Sequence, residues 1–461
     1  MKRGLLFWGD VAILYLALII TLVIRYGAGD FFRHSLALHI FPFSLVFALW
    51  LLIFYIANLY EISLSKNNVQ FFSAFFYSIA INLTITVIFF YLVAFFRITP
   101  KTNLSIFLVL WLLMATLWRF YTNWQLARGS FKNNTLILGL SPQSQELYDF
   151  LLANPQLGYN ALGIIDVKHD TAPEVLEDVI KQKNVKTLVL GSEAYQNTKI
   201  IDVLYRLMGR GMIFNNLSDF YETVSGKVPL GAIDQTWFLD NLTEARKRVY
   251  EIGKRASDLA LAIAIGLIVS PFLFFVVLAI KLGSPGPIFY KQTRIGKSGK
   301  LFTLVKFRSM GKDAEKSGPV WASENDQRVN SVGRFLRRTR IDELPQVWNV
   351  LRGEMSFVGP RPERPEFYDK LRKEVPFYQE RYLIKPGLTG WAQVKYKLDF
   401  AGGMTIGDTF EKVQHDLYYI KNRSFLLDVG IILKTINIVL QKLFAKSKTL
   451  IRENPTSPLS S

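Results

Sequence analysis

The chain has 461 residues, 50% of them hydrophobic, with a mean hydropathy of +0.20 and a net charge of +18. This hydrophobic content favours a membrane protein over a water-soluble one. The absence of cysteine excludes disulfide bonds and thiolate metal sites. The positive charge fits contact with anionic lipid or phosphorylated substrates, whereas a nucleic-acid partner would need a binding motif that the sequence does not show.

Four apolar windows in the first quarter of the chain each have about 20 residues, the length that crosses a bilayer. The first is too long for a cleaved signal peptide, so we expect it to persist as a span. An even number of crossings returns the chain to its starting side, which flanking basic residues indicate to be cytoplasmic, although the opposite side also carries some. An acid inside a span is by default a functional candidate; the nearness of Asp10 to a helix end favours a solvated, structural role instead. The windows are Leu5–Ile24, Leu38–Tyr60, Phe71–Phe96 and Leu104–Trp124.

From about Phe131 the pattern becomes that of a soluble α/β domain. An apolar strand, a glycine turn, an amphipathic helix and a second strand ending at Asp166 predict a β-α-β unit. A strand over 186–190 and a helix over 200–208 extend it into a Rossmann-like parallel sheet. The first turn has only Gly139 where a dinucleotide fold has GxGxxG. We therefore favour a docking or regulatory domain that binds no dinucleotide, while another ligand stays open.

A fifth apolar run, Ala260–Ile280, is long enough to span the membrane but has Ser270 and Pro271 at its middle. A proline there removes a helical hydrogen bond and kinks the helix. Basic residues flank both ends of the run, and a crossing would export one of the two basic sets, against the positive-inside tendency. We predict a re-entrant helix over 256–281 with both ends cytoplasmic; a kinked crossing is the alternative.

Two charged clusters follow this run. Lys306 and Arg308 alternate in "KFRSM" on a predicted extended segment, which would direct both cations to one face as a diphosphate clamp. In "FLRRTRIDELPQVW", Arg337 and its neighbours crowd Asp342 and Glu343 at a predicted helix start. We expect the helix dipole and the guanidinium groups to keep Asp342 ionised and to attract a phosphate toward it.

Two clusters rich in proline and glycine complete the set. Arg361 lies between two prolines in "GPRPERP", which would fix the orientation of its side chain. The segment "KPGLTGWAQVKYK", from Lys385 to Lys397, joins a Pro-Gly turn to Trp391. Taken singly, each cluster could be structural: a salt-bridged helix cap or a plain turn. Their ordered occurrence after a proline-broken membrane segment is what indicates a common function.

This order of motifs resembles the bacterial monotopic polyprenyl-phosphate hexose-1-phosphate transferases. The resemblance covers about Tyr250 to Leu440 and includes Lys254-Arg255 with Asp258, the Ser270-Pro271 break, "KFRSM", "DELPQVWNVLRGEMSFVGPRPE" and "PGLTGWAQV". The preceding spans and α/β domain are similar to those of the large members, which initiate exopolysaccharide or O-antigen repeat units. The resemblance implies a multi-pass protein of the bacterial cytoplasmic membrane whose catalytic domain faces the cytoplasm.

The resemblance also implies a mechanism. Asp342 corresponds to the nucleophile that attacks the sugar-bearing phosphate of a UDP-sugar and expels UMP, after which polyprenyl phosphate attacks the covalent intermediate. Glu343 corresponds to a neighbouring acid implicated with Mg²⁺, so both carboxylates are expected metal ligands. Lys397 stands where many members have arginine, and it lacks the bidentate fork of that residue. The expected catalytic or substrate-binding cations are Arg337, Lys306, Arg308, Arg361 and Lys397.

The predicted architecture has three parts. A four-helix membrane domain (1–129) precedes a Rossmann-like α/β domain (130–249) and a mainly α, monotopic catalytic domain (250–461) with the re-entrant helix and interfacial helices. The C-terminal apolar run with Lys434 and Lys442 fits an interfacial amphipathic helix or, alternatively, a core helix. Expected partners are a UDP-sugar, polyprenyl phosphate and anionic lipids, without nucleic acid, and membrane proteins of this kind often form homodimers. The rival function is a non-catalytic membrane scaffold or sensor.

Overall fold

The structure is a computed structural model that describes residues 2–27, 29–92, 101–128, 133–167, 173–242, 247–311, 328–396 and 405–444. The chain folds into two compact units, which divide between Asn241 and Leu242. The first unit contains the apolar N-terminal helices and the small α/β fold. The second contains the remaining long apolar helix and the four motif clusters.

Four helices begin the first unit, and all four are long and apolar enough to cross a membrane, as predicted. They pack around buried aromatic rings, among them Trp50 and Trp111, whose ring centroids are 4.7 Å apart. Asp10 is buried rather than solvated, because it forms a salt bridge with the fully buried Arg119. Its structural role thus comes from charge pairing between the first and fourth helices. The helices are α1 (Lys2–Tyr26), α2 (Asp30–Ile56), α3 (Val69–Leu92) and α4 (Lys101–Arg128).

A four-stranded parallel sheet with strand order β2-β1-β3-β4 follows in the same unit. Its apolar strands are covered by helices, as parallel sheets require. Ser141 caps the first of these helices by accepting a hydrogen bond from the Ser144 amide at 3.1 Å. The elements are β1 (Asn133–Leu138), α5 (Pro142–Ala153), β2 (Tyr159–Ile165), α6 (Pro173–Gln182), β3 (Thr187–Leu190), α7 (Ser192–Gln196), α8 (Thr198–Leu207), β4 (Ile213–Asn216), α9 (Leu217–Ser225) and α10 (Gln235–Asn241).

The carboxyl ends of β1, β3 and β4 border a small cleft in the α/β fold. Gly139, Gly191 and Asn216 line it at the strand ends, together with Glu193. Parallel α/β sheets bind ligands at such a position, where the strand order reverses. The cleft has a volume of about 90 Å³, well below the roughly 300–1000 Å³ of typical small-molecule sites.

The second unit begins with one helix, α11 (Arg248–Gly283), that is longer than the predicted 256–281 and runs without interruption through Ser270 and Pro271. It too is apolar enough to cross a membrane. Large apolar side chains along its middle are exposed, whereas both ends pack onto the rest of this unit. Whether the helix re-enters the same side of the membrane stays a prediction. The exposed residues include Leu267, Ile268, Phe272, Phe274 and Phe275.

The remainder of this unit joins short sheets to helices. The strands β5 and β6 form an antiparallel hairpin, and β7 pairs with β8 in parallel. The hairpin carries the start of "KFRSM", and the parallel pair joins "GPRPERP" to "KPGLTGWAQVKYK". The elements are β5 (Phe289–Ile295), β6 (Leu301–Phe307), α12 (Ser331–Thr339), α13 (Val347–Arg352), β7 (Ser356–Val358), α14 (Pro365–Glu374), β8 (Gly387–Thr389), α15 (Trp391–Lys395), α16 (Ile406–Asn422) and α17 (Phe425–Phe444).

Candidate active site

Asp342 and Glu343 lie in a helical turn between two helices. The helix α12 ends where Arg340 adopts a left-handed conformation with φ of 62°. A 3-10 segment, Ile341–Gln346, then leads directly into α13. Pro345 is the fifth residue of this segment and lies two residues before α13 begins, so its missing N–H falls outside that helix. The predicted helix start at Asp342 is therefore confirmed, and it presents two adjacent acids that differ in their surroundings.

The Glu343 carboxylate is held by three cations. Its Oε1 accepts hydrogen bonds from Lys306 Nζ at 3.0 Å and Arg361 Nη2 at 2.9 Å, and Oε2 lies 2.9 Å from Arg340 Nη1. Burial alone would raise the pKa of this carboxyl, but the three cations outweigh burial and hold its pKa well below the usual range. Glu343 is consequently ionised at neutral pH and contacts Lys306, Arg340 and Arg361.

The Asp342 carboxylate differs from that of Glu343 in its hydrogen bonding and in the direction of its pKa shift. Its side chain is buried, and its Oδ1 accepts no hydrogen bond from the residues that the structure describes. Burial, followed by the negative charge of Glu343, raises the pKa of Asp342 to about 6 against the pull of the nearby cations. The helix dipole and guanidinium groups were expected to keep Asp342 ionised, and burial opposes them by raising its pKa. Because the pKa stays below 7, the carboxyl is still mostly ionised at neutral pH.

Lys306 and Arg308 do not form the predicted common clamp. The strand β6 ends at Phe307, so the alternation that would place both side chains on one face does not continue through Arg308. Lys306 contacts Glu343, whereas Arg308 donates to the carbonyl oxygens of Ser284 and Pro285 at 2.6 and 2.9 Å. Arg308 thus fastens the segment after α11 to the end of the hairpin.

Arg337 lies in the last turn of α12, and its Nε donates to Ser309 Oγ at 2.9 Å. Its charge is close enough to lower the pKa of Asp342 in part, although burial dominates that pKa. Arg337 is therefore placed near the nucleophile candidate, as its position in the sequence predicted. Lys397, the remaining predicted phosphate contact, lies outside the described residues.

The "GPRPERP" and "PGLTGW" motifs meet at backbone distance through β7 and β8. The Gly359 amide donates to the Thr389 carbonyl at 2.9 Å. A Cβ on Gly390 would stand 2.3 Å from the Gly359 carbonyl oxygen, so a side chain there would force the two segments apart. Trp391 then stacks on Tyr418 with ring centroids 5.5 Å apart. The glycines of the fourth motif thus permit the approach that places Arg361 against Glu343.

A second charged cluster joins α11 to α16 and α17, and we call it the anchor cluster: Tyr250, Lys254, Tyr419 and Asp428. Asp428 Oδ2 accepts from Lys254 Nζ at 2.6 Å and from the Tyr250 hydroxyl at 2.8 Å, while Oδ1 accepts from the Tyr419 hydroxyl at 2.7 Å. One residue along, Arg255 donates to the carbonyls of Val350 and Leu351 at the end of α13. The basic residues before the apolar run therefore fix α11 onto this unit.

Sequence reasoning missed a group of buried charges beneath Arg361. Arg381 and Asp416 form an ion pair of 2.7 Å, and Glu363 lies 3.3 Å from Lys412. These partners are separated by 35 and 49 residues along the chain. No local pattern brings such residues together; a charged residue at an apolar helical position, as Asp416 is between Val413 and Leu417, was the available signal.

Among the described residues, a divalent cation would find a free carboxylate oxygen on Asp342 rather than on Glu343. Glu343 already accepts from three cations, which would repel a metal ion, whereas Oδ1 of Asp342 is available. Among the described residues, no group of three or more acidic or histidine side chains could hold a metal. Mg²⁺ often binds through one or two carboxylates together with substrate phosphates. The donor set fits that arrangement and does not fit an all-protein metal cage.

The residues of this site lie within a part of the chain that matches a described protein family. Residues 249–442 match the family model described as bacterial sugar transferase. The chain is 32% identical over 343 residues to the UDP-glucose:undecaprenyl-phosphate glucose-1-phosphate transferase of Escherichia coli (strain K12), covering 69% of this chain and 70% of that protein. It is 40% identical over 225 residues to the UDP-N-acetylgalactosamine-undecaprenyl-phosphate N-acetylgalactosaminephosphotransferase of Aeromonas hydrophila, covering 49% of this chain and 52% of that protein.

A third relative is the putative undecaprenyl-phosphate N-acetylgalactosaminyl 1-phosphate transferase of Bacillus subtilis (strain 168). It is 51% identical over 141 residues, which cover 30% of this chain and 78% of that protein. The alignments vary in extent, and the one with the Aeromonas protein spans about half of that relative. The chain belongs to the bacterial sugar transferase family, among its polyprenyl-phosphate hexose-1-phosphate transferases, and it is an enzyme of the transferase class.

Proposed function

We propose that this protein transfers a sugar 1-phosphate from a UDP-sugar to undecaprenyl phosphate in two steps, as the first membrane step of exopolysaccharide or O-antigen synthesis. An Asp342 carboxylate oxygen attacks the sugar-bearing phosphorus, the bond from that phosphorus to the bridging oxygen breaks, and UMP leaves. An oxygen of undecaprenyl phosphate then attacks the same phosphorus and releases the Asp342 carboxylate. The product is undecaprenyl diphosphate-linked sugar.

The observation that carries this proposal is the contrast between the two neighbouring acids. A salt-bridged cap would have its oxygens occupied, and Glu343 fits that description with its three cation contacts. Asp342 keeps a buried oxygen that accepts no hydrogen bond among the described residues. A buried, mostly ionised carboxylate with a free oxygen is suited to nucleophilic attack. The structural feature therefore favours Asp342, rather than Glu343, as the attacking group.

The cations around Glu343 supply the remaining electrostatics. A carboxylate and a diphosphate repel each other, so attack requires positive charge at the transferring phosphoryl group. Lys306, Arg340 and Arg361 are gathered by Glu343, and Arg337 lies close to Asp342. Mg²⁺, bound by Asp342 and substrate phosphate oxygens, would add charge neutralisation at the phosphates. The named relatives act on glucose and N-acetylgalactosamine donors, so the sugar is left unspecified.

The second unit is proposed to rest on the cytoplasmic face of the inner membrane, with α11 as a re-entrant helix. Its exposed apolar middle needs lipid, while its ends contact parts of the unit that carry the active site. At the N-terminal end Arg255 reaches α13, and at the other end Ile280 packs with Phe307 and Leu336. The helix α17 exposes Leu426, Val429 and Leu440, which fits an interfacial position among anionic lipids.

Release of UMP tests the chemistry directly. The purified protein in lipid nanodiscs should release UMP from a UDP-sugar, screened over several sugars, when Mg²⁺ and undecaprenyl phosphate are present. Omitting the lipid phosphate should limit release to one equivalent, because the covalent intermediate then accumulates. A phosphosugar adduct on Asp342, detected by mass spectrometry, would identify the nucleophile. Absence of UMP release with every donor would instead favour the rival scaffold or sensor function.

Cysteine labelling tests the path of α11. The chain contains no cysteine, so Ile252→Cys and Leu282→Cys each create a single thiol at an exposed position near one end. In sealed inverted vesicles a membrane-impermeant maleimide should label both positions, because both ends of a re-entrant helix face the cytoplasm. Labelling of only one of the two would show that the helix crosses the membrane.

A further inference from the structure

A fully buried ion pair lies beneath the loop that carries Arg361. The side chains of Arg381 and Asp416 are 1% and 2% exposed. Arg381 Nε donates to Asp416 Oδ2 at 2.7 Å, Nη1 donates to the Tyr378 hydroxyl at 3.1 Å, and Nη2 donates to the Arg361 carbonyl at 3.0 Å. The desolvation of a buried pair roughly cancels its attraction, so stability alone is a weak reason for it. Its contact with Arg361 indicates another role.

Three successive carbonyl groups hold the Arg361 loop in place. Pro360 and Pro362 have no N–H, so neither can donate a backbone hydrogen bond. The Pro360 carbonyl accepts from the Gly387 amide at 2.9 Å, and the Pro362 carbonyl accepts from Arg294 Nη1 at 3.1 Å. The central carbonyl, that of Arg361, accepts from Arg381. Arg381 therefore fixes the backbone of the one residue in this trio whose side chain enters the site.

A second set of buried charges holds Glu363, the residue that follows Pro362 in the same loop. Glu363 lies 3.3 Å from Lys412 and 3.6 Å from Arg294, and its carbonyl accepts from the Ile295 amide at 3.0 Å. Lys412 and Asp416 are one turn apart on α16. The long helix thus holds Glu363 through Lys412 and, through Asp416, orients the arginine that holds Arg361.

We propose that Arg381, oriented by Asp416, is a positioning residue for the transfer reaction. Its hold on the Arg361 carbonyl sets the place of the Arg361 guanidinium, which donates to Glu343 Oε1 at 2.9 Å beside Asp342. A misplacement of about 1 Å at such a site can lower a rate by about 100-fold. The inference rests on the proposed function, because its effect is read as transfer activity.

The substitution Arg381→Lys keeps the buried charge but loses the fork that reaches Asp416 and the Arg361 carbonyl together. It should lower kcat/KM for UMP release by about 10- to 100-fold. The Arg361→Lys variant should also be slow, and the double variant should be no slower than Arg361→Lys alone, because Arg381 acts through Arg361. Tyr378→Phe is the matched control: it removes the third partner of the same guanidinium and should stay within about twofold of wild type.

Losses that multiply in the double variant would overturn the inference, as would wild-type kcat/KM in a folded Arg381→Lys protein. A loss in Tyr378→Phe equal to that in Arg381→Lys would do the same, since general packing would then explain both. If Arg381→Lys does not accumulate, Asp416→Asn keeps the shape and one accepting oxygen and should give a smaller, again non-additive loss; full activity there contradicts the role. Wild-type protein that releases no UMP would contradict the proposed function itself.

Discussion

The site around Glu343 and the anchor cluster are both buried sets of opposite charges in the same unit, yet they differ in completeness. In the anchor cluster both oxygens of Asp428 are occupied, by Lys254, Tyr250 and Tyr419. In the site, Glu343 is equally well held, but Asp342 retains an unoccupied oxygen among the described residues. A network in which every carboxylate oxygen is hydrogen-bonded holds the chain in one arrangement. A carboxylate oxygen without a hydrogen bond can instead react with a substrate. The charge of Asp428 therefore serves the fold, whereas that of Asp342 is placed for reaction.

The largest expected effect is at Asp342. Asp342→Asn should lower UMP release by about 1000-fold or more, because an amide oxygen is a poor nucleophile. It should not lower the unfolding temperature at neutral or alkaline pH. Since burial raises the pKa of Asp342 to about 6, its ionised form destabilises the fold above that pH, and asparagine removes the destabilisation.

Thermal unfolding on both sides of pH 6 checks this prediction. The stability gained by Asp342→Asn should be present above the folded-state pKa and should shrink as the pH falls below it, where Asp342 itself becomes neutral. Asp342→Ala, which lacks the polar group, serves as a second inactive control. A marked loss of stability in Asp342→Asn at alkaline pH would mean that Asp342 is a paired, structural acid like Asp428.

Glu343→Gln should reduce both activity and stability. The neutral amide would leave Lys306, Arg340 and Arg361 clustered without their common anion, and breaking a buried charge set costs about 3 kcal/mol of unfolding free energy. Dispersal of these cations should lower kcat/KM by about 100-fold. Denaturant unfolding and UMP release measure the two effects. Activity loss without destabilisation would contradict the organising role given to Glu343.

In the anchor cluster, stability should change more than chemistry. Lys254→Met leaves Asp428 buried without its cation and should cost about 3 kcal/mol, whereas Lys254→Met combined with Asp428→Leu should recover most of that loss. Turnover per folded molecule should fall by less than about tenfold, because the side-chain hydrogen bonds of Asp428 go to Lys254, Tyr250 and Tyr419 rather than to the site charges. A turnover loss as large as that of Glu343→Gln would show that the anchor cluster also acts in the reaction.

The smallest expected effect is on the pH dependence. The ionised carboxylate is the nucleophile, so kcat/KM should fall as the pH drops through about 6. Since the charge of Glu343 helps to raise the pKa of Asp342, the residual activity of Glu343→Gln should show this acid limb at lower pH. Lys254→Met should leave the limb in place. If the acid limb of Glu343→Gln instead moved to higher pH, the charge of Glu343 would not raise the pKa of Asp342.

Several parts of the fold could be predicted from local sequence alone. Runs of about 20 apolar residues gave the four N-terminal helices, because bilayer thickness imposes that length. The parallel strands β1 to β3 and the helical turn at Asp342 followed from periodicity and proline placement. Asp10 shows the limit: its position suggested a solvated acid, but Arg119, 109 residues away, buries and pairs it.

The sequence by itself determined the membrane character of the chain and the order of its elements. It also placed the two acids, Asp342 and Glu343, next to each other in a motif rich in arginine. Only the tertiary structure decided how those two acids differ, that Arg308 contacts a loop instead of the site, and that Arg381 and Asp416 support Arg361 from below. Apolar length and periodicity are properties of neighbouring residues, so they are readable along the chain. Hydrogen-bond occupancy and pKa depend on burial and on charges from distant segments, and these exist only after the chain has folded.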